Sequence, residues 1–280
     1  KKTPLCYKRH CSCHLASTPK VFPTMGRFTT LVCLVSVAPL ASALIPLKPP
    51  GMRADARFFL DTADTAEWEA LLPLGIFHGV TTNPITLDNA GHPCDVFEIH
   101  ELAMRALDQT NEFICQTWGA TAEEMYKNGM DLSGPNRRDI VVAVPVTPAG
   151  TEAAAALVQS DVRVCLTATY ASRQALIAAG VGADYSCTFL SSLDQAGKDG
   201  KKECLKMRDM VENMGSDTRV MVASLRDVDS LCDLAEAGVD TFALSPDIAR
   251  KLFGEPMTDQ AAADFEAAAK RTMSMPKAVY

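Results

Sequence analysis

The chain has 280 residues, of which 48% are hydrophobic and 22% charged, and its formal net charge is −7. This composition excludes a coiled coil or a largely disordered chain, and the length allows one large domain or two small ones. The acidic balance argues against a nucleic-acid-binding protein. Residues 1–54 contain eight basic and no acidic residues, whereas the rest contains 19 basic and 34 acidic residues. The sequence therefore predicts a basic leader joined to an acidic globular body.

The leader has the parts of a secretory signal peptide within residues 25–43: an early basic residue, a short apolar run and the small residues that end at Ala43. The run is short and contains Pro39, so it is not expected to span a membrane in the mature protein. We expect residues 1–24 to be an upstream or untranslated lead and residues 44–56 a short transit-like segment.

A signal peptide followed by a basic stretch resembles the two-part plastid leaders of algae with secondary plastids; simple secretion is the alternative. Cys115, Cys165 and Cys187 fall inside apolar strand patterns, where a free thiol acts as a small core residue. Interior free thiols suit a reducing compartment. The pattern therefore favours delivery to the plastid stroma.

The sequence implies no metal and no organic cofactor. One cysteine- and histidine-rich stretch could suggest a zinc site; it comprises Cys6, His10, Cys11, Cys13 and His14. This stretch lacks a second, properly spaced ligand pair, so we do not expect it to bind zinc. G-x-G-x-x-G and Walker-type loops are absent from the sequence, which removes the main signatures of nucleotide binding.

From residue 57 onward, short β-rich runs alternate with Ala-, Leu- and Glu-rich segments of helical periodicity. The predicted strands are 57–63, 79–83, 112–118, 140–147, 163–169, 184–190, 219–225 and 241–246. Eight apolar strands separated by helices predict a parallel sheet, and eight strands close a (β/α)8 TIM barrel. Residues 57–280 are therefore predicted to form one α/β domain, with a further helix at 259–271.

Functional side chains of a TIM barrel lie at the C-terminal ends of its strands. These ends are polar and nearly uncharged here, which suits a hydroxylated substrate. The residues are Asp61, Thr81, Thr82, Asn83, Gln116, Thr147, Thr167, Ser191, Ser192, Asp194, Ser224 and Ser245. The glycine-rich segment 195–200 is predicted to be a mobile loop that follows strand six.

Three motifs resemble the transaldolases, and most closely the short branch that includes fructose-6-phosphate aldolase. They are LDTA at 60–63, GVTTNP at 79–84 and VVAVPVT at 141–147, and the likeness covers about residues 57–272. The resemblance implies an aldolase class I type TIM barrel of carbohydrate metabolism, of the pentose phosphate type. It also implies a sugar-phosphate ligand and catalysis through a lysine Schiff base.

Three positions depart from the pattern that this resemblance implies. The Schiff-base lysine of strand four corresponds to Ala143, and a methyl group cannot attack a carbonyl. The tyrosine that helps hold the catalytic water corresponds to Phe189, and the phosphate-binding arginine corresponds to Ser192. We therefore expect a pseudoenzyme that lacks transaldolase and aldolase activity.

Other positions of the family pattern are retained, and each also has a structural interpretation. The resemblance implies a proton-carrying role for Asp61, which could instead be a hydrogen-bonded buried carboxylate. It implies that Gln116 and Thr167 hold a water, although they could satisfy each other. It further implies substrate contacts for three residues whose alternatives are a helix cap or a solvated surface position: Asn83, Ser224 and Arg226.

Two alternatives to a degenerate transaldolase remain open. One is an active enzyme, either with a relocated lysine such as Lys198 or with a changed reaction such as hydration or isomerisation. The other is a structural or assembly subunit. The resemblance implies a homo-oligomer formed through the C-terminal helix, which contains Phe265, unless this helix packs on its own barrel. No nucleic acid or membrane partner is expected.

Overall fold

The computed structural model describes residues 56–134 and 136–273. Eight parallel strands close into a barrel in sequence order, which confirms the predicted (β/α)8 fold. The strands are β1 (Arg57–Asp61), β2 (Phe77–Thr81), β3 (Glu112–Gln116), β4 (Ile140–Pro145), β5 (Arg163–Thr167), β6 (Tyr185–Phe189), β7 (Arg219–Ala223) and β8 (Thr241–Leu244). The predicted lead, signal peptide, transit-like segment and cysteine–histidine cluster lie outside the described residues.

Helices cover the outer face of the barrel. They are α1 (Thr65–Leu71), α2 (Pro84–Ala90), α3 (Val96–Leu107), α4 (Ala122–Ser133), α5 (Pro148–Gln159), α6 (Ser172–Val181), α7 (Leu190–Gln195), α8 (Gly200–Asn213), α9 (Val228–Glu236), α10 (Pro246–Lys251) and α11 (Pro256–Met273). A 3-10 turn at Leu72–Leu74 extends α1. Within the described ranges, no helix combines the length and apolar character that crossing a bilayer requires.

Several predicted boundaries were wrong. Seven strands end two residues earlier than predicted. In three of them a residue predicted to lie in the strand instead caps the next helix: Asn83, Thr147 and Ser245. Thr147, for example, accepts a hydrogen bond from the backbone nitrogen of Gly150 at 3.0 Å and caps α5. β2 runs from 77 to 81 instead of 79 to 83, and β6 from 185 to 189 instead of 184 to 190.

The segment after strand six also differs from the prediction. The short helix α7 follows β6 directly, so the glycine-rich turn follows a helix instead of a strand. Asp194 holds this turn, because its Oδ1 accepts a hydrogen bond from the backbone nitrogen of Gly200 at 3.0 Å. The C-terminal helix is longer than predicted and begins at Pro256.

The core has two layers because both faces of each strand are covered. Side chains on one face fill the barrel interior, including Phe59, Ile114, Ala143, Tyr185, Met221 and Ala243. Side chains on the other face pack under the helices, including Leu60, Phe113 and Val142. This double burial explains why the strands read as nearly continuous apolar runs in the sequence.

Gly79 on β2 makes room for the barrel interior. A Cβ atom at this position would lie 2.3 Å from the carbonyl oxygen of Glu112 and 2.7 Å from the Phe59 ring. A larger residue would therefore displace Phe59 or separate β2 from β3.

A buried ion-pair network lies at the N-terminal end of the barrel, around Glu112. Arg57 Nη1 and Arg163 Nη1 lie 3.2 Å and 2.9 Å from its Oε1, and the Tyr185 hydroxyl donates to its Oε2 at 2.6 Å. His78 Nε2 lies 3.1 Å from Oε1 but is not aligned for a hydrogen bond. Burial opposes the ionisation of Glu112, but its His78, Arg163 and Tyr185 neighbours outweigh burial and lower its pKa to about 2. Glu112 is therefore the central anion of this network.

Candidate active site

A cavity of about 30 Å³ lies inside the C-terminal end of the barrel. Its polar lining consists of Asp61, Thr81, Thr82, Asn83, Gln116 and Thr167. The rest of the lining is apolar or sulfur-containing, and none of the described residues that line it is lysine, arginine or histidine. Since one water needs roughly 10–15 Å³ of such volume, the cavity holds about two waters and is too small for a sugar phosphate.

The structure brings most of the predicted site residues together. Asp61, Gln116, Thr167 and Asn83 surround the same cavity as Ala143, and Phe189 contributes part of its wall. Ser192, Ser224 and Arg226 do not line it. The catalytic and binding roles of all these residues stay predictions.

Ala143 lies in the interior of the barrel at the centre of the cavity wall. It is 5% exposed, and its neighbours across the sheet are Gln116 on β3 and Cys165 on β5. Any longer side chain at position 143 would therefore extend into the cavity, between two groups that also face it.

Asp61 ends β1 and presents a buried carboxylate to the cavity. Its Oδ1 is buried and has no hydrogen-bond partner among the described residues. Burial raises its pKa to about 6. The carboxylate is therefore not fully hydrogen-bonded, in contrast to the structural interpretation of Asp61. A group with a pKa of about 6 can both take up and release a proton near neutrality.

Replacing Asp61 with asparagine is expected to stabilise the fold at pH 8 by up to about 3 kcal/mol, the free-energy equivalent of its pKa shift. Between about pH 4 and pH 6 the folded protein binds the Asp61 proton and the unfolded chain does not, so wild-type stability falls as pH rises. Asp61→Asn lacks this fall, and urea unfolding should show the two proteins converging below about pH 4. Asp88→Asn, at an exposed position, is the control. A stability difference that does not change with pH would contradict this assignment.

Gln116 and Thr167 end β3 and β5 and face the cavity from opposite sides of Ala143. In the described part of the chain, their side chains are hydrogen-bonded neither to each other nor to another residue. The alternative in which they satisfy each other is therefore not seen, and both remain available to a water or a ligand.

Asn83 has a clear structural role at the start of α2. Its Oδ1 accepts hydrogen bonds from the backbone nitrogens of Ile85 at 2.9 Å and Thr86 at 3.1 Å. The Thr86 hydroxyl accepts from the backbone nitrogen of Asn83 at 2.8 Å, which completes a capping box. The helix cap occupies the amide oxygen and leaves the amide nitrogen as the group available to a ligand.

The predicted phosphate region lies beyond the ends of β6 and β7. Ser224 has a left-handed backbone with φ of 57°, and its hydroxyl lies 2.5 Å from that of Ser191. Ser192 is partly buried within α7, and Arg226 is exposed before α9. Of the predicted substrate-binding residues, Arg226 is the one that carries a positive charge, and its guanidinium is exposed.

Sequence reasoning missed the sulfur-rich part of the cavity wall. Cys165, Cys187 and Met221 line it together with Ile114. A signal for these residues was present, since side chains alternate between the two faces of a strand. Counting in steps of two along each strand from a cavity residue such as Thr167 identifies Cys165 as interior.

The closed barrel, with a polar cavity at its C-terminal end, defines a TIM-barrel protein, and the cavity lies at the end where such proteins carry their functional side chains. Residues 58–279 match the family model described as Transaldolase/Fructose-6-phosphate aldolase. The chain belongs to this family.

Relatives among known proteins agree with this assignment. A probable transaldolase of Rhodospirillum centenum is 31% identical over 220 residues, which cover 77% of this chain and 92% of the relative. A probable transaldolase of Aquifex aeolicus is 33% identical over 207 residues, covering 72% of this chain and 91% of the relative. One from Methanococcus maripaludis is 31% identical over 209 residues, covering 75% and 95%.

Proposed function

We propose that this protein is a transaldolase-like sugar-phosphate barrel that has lost Schiff-base chemistry. The observation that carries the proposal is the cavity wall, where Ala143 occupies the position that the family resemblance assigns to the reactive lysine. Among the described residues, 56–134 and 136–273, no lysine lines the cavity. Imine formation requires an uncharged amine next to the substrate carbonyl, and the cavity supplies none.

We also expect the protein to bind a sugar phosphate only weakly. A cavity of about 30 Å³ cannot enclose a sugar phosphate unless its rim moves. At the predicted phosphate position, the hydroxyls of Ser191 and Ser224 are hydrogen-bonded to each other. Ser192 cannot provide the paired charged donors with which an arginine binds phosphate.

An active enzyme with a relocated lysine is the alternative, and Lys198 is its candidate. Lys198 is exposed, and its Nζ donates a hydrogen bond to the backbone carbonyl of Tyr170. The Tyr170 ring packs against Phe189, with the ring centroids 6.0 Å apart. The Lys198 amine is thus bound to Tyr170, and neither of these two residues lines the cavity. An exposed amine also lacks the burial that activates catalytic lysines.

The deciding experiment is borohydride trapping with fructose 6-phosphate or dihydroxyacetone, read by intact mass. We expect no mass gain for the wild type and none for Lys198→Met, because neither has an amine in the cavity. Lys202→Met, an exposed lysine in the first turn of α8, is the matched control. A sugar-sized gain that disappears only in Lys198→Met would show that the nucleophile has moved and would overturn the proposal.

A changed reaction that needs no amine is the second alternative. The unpaired Asp61 carboxylate, with its pKa of about 6, favours proton transfer to or from a bound carbonyl compound, as isomerisation or hydration requires. Incubation of fructose 6-phosphate or dihydroxyacetone in deuterated water tests it. Deuterium incorporation that Asp61→Asn abolishes would favour this alternative over an inert barrel.

We also propose that α11 mediates a homo-oligomer. This 18-residue helix buries none of its residues on its own barrel. Met257 and Phe265 are 79% and 74% exposed. A helix that buries none of its residues and exposes Met257 and Phe265 offers apolar surface to a second copy of the chain.

Sedimentation velocity tests the assembly. We expect the protein to sediment as an oligomer and Phe265→Glu to shift it toward the monomer, because a charge would then be buried in the contact. Phe97→Glu on α3 is the matched control, since Phe97 is also 74% exposed. A wild type that sediments only as a monomer excludes this role of α11.

A further inference from the structure

Three sulfur-containing side chains line one part of the cavity inside the barrel. Cys165, Cys187 and Met221 come from the successive strands β5, β6 and β7, and all three line the cavity beside Ala143. They are 2%, 6% and 1% exposed, and both cysteines are free thiols. Neither the transaldolase resemblance nor the proposed function uses these side chains.

The strand register places two of the three residues side by side, and it pairs Cys165 with Tyr185 two positions before Cys187. Cys187 is the direct neighbour of Met221 across β6 and β7. Cys165 lies on the adjacent strand β5 and lines the same cavity as Cys187 and Met221. With metal–sulfur bonds of about 2.3 Å, two ligands of one trigonal ion are about 4 Å apart. Cysteine and methionine side chains on adjacent strands, which are about 4.8 Å apart, can reach this separation.

We propose that Cys165, Cys187 and Met221 form a buried site for one copper(I) ion. Thiolate and thioether ligands select soft metal ions such as copper(I). A structural zinc site needs four nitrogen, sulfur or carboxylate ligands. Within the described part of the chain, no group of three or more His, Cys, Asp or Glu side chains could hold a metal, so the ligand set does not suit zinc. The cavity of about 30 Å³ offers room for one ion.

Binding is a ligand exchange without change of oxidation state. Copper(I) forms two bonds to thiolate sulfur and one to the thioether, and the two thiol protons leave to solvent.

The experiment uses the full chain and copper(I) under anaerobic conditions, in competition with the chromogenic chelator bathocuproine disulfonate. A background variant removes the thiols of the leader and of the surface. It carries serine in place of Cys6, Cys11, Cys13, Cys33, Cys94 and Cys232. We expect this variant to bind one copper(I) per chain, with X-ray absorption showing three sulfur ligands.

Two substitutions in this background test the assigned ligands. Cys187→Ala should weaken binding at least 100-fold, and Met221→Leu should weaken it about tenfold and reduce the sulfur count to two. Met221→Leu conserves side-chain volume, so it gives a decisive result even where Cys187→Ala impairs folding. Cys204→Ala removes a buried thiol from the outer core and should leave binding unchanged. Failure of the background variant to bind copper(I), or equal losses in Cys204→Ala and Met221→Leu, would overturn the site.

Discussion

Lysine in place of Ala143 is expected to create a borohydride-trapped adduct, one dihydroxyacetone unit per chain, where the wild type gives none. The new side chain would extend from β4 into the cavity, next to Gln116 and Thr167. Burial lowers the pKa of its amine and leaves it uncharged and nucleophilic. Asp61 faces the same space and can transfer the proton that imine formation requires. Intact mass after reduction measures the adduct.

Ala143→Met is the control for this experiment. Methionine is long and unbranched like lysine but has no amine, so it reports labelling at other sites and the tolerance of the cavity to a longer side chain. The double variant Ala143→Lys, Asp61→Asn should form the adduct more slowly, because the proton carrier is lost. A folded Ala143→Lys protein without adduct would show that position 143 is not equivalent to the reactive lysine position.

Glutamine in place of Glu112 is expected to destabilise the fold by about 3–5 kcal/mol at neutral pH, the usual loss when one partner of a buried ion pair is removed. Arg57 and Arg163 would keep their charges at the N-terminal end of the barrel without the anion between them. The Tyr185 hydroxyl would lose a charged acceptor. Urea unfolding followed by circular dichroism measures the loss.

The pH dependence distinguishes this charge effect from a packing effect. The pKa of Glu112 is about 2 in the folded protein, below its ordinary value of 4.5, so its ionisation stabilises the fold above about pH 4.5. This stabilisation is lost as pH falls from 4.5 toward 2, and the difference between wild type and Glu112→Gln should shrink over the same range. Glu69→Gln, in an exposed pair with Arg105, should change stability little at any pH. A loss that persists undiminished at pH 2.5 would indicate packing instead.

The sequence predicted the barrel well and its strand ends poorly. Apolar runs that are buried on both faces are visible in any window of the chain, so the eight strands and their parallel arrangement could be recognised. The exact ends could not, because Thr147 is an equally good strand residue and helix cap until the next helix is placed. The short helices α7 and α10 were missed, because Leu190 and Ser245 were assigned to the strands that precede them.

The candidate site, like the fold, could be predicted from the sequence only in part. Asp61, Gln116, Thr167 and Ala143 were recognised through motifs, and the structure places them around one cavity. Their environments could not be predicted, since the pKa of Asp61 depends on burial by strands that are distant in the sequence. The sulfur-lined side of the cavity was missed, because no local motif marks the meeting of three strands.

The sequence by itself determined the fold class, the family pattern and the absence of a lysine at position 143, because each of these is encoded in local periodicity or in a residue's identity. Only the tertiary structure decided which of these groups share a cavity, how large the cavity is and which polar atoms lack partners. It also decided that Arg57, Glu112, Arg163 and Tyr185 form one network. Closure of the barrel brings together residues more than a hundred positions apart in the chain, and the burial and electrostatic energies that tune them arise only from that closure.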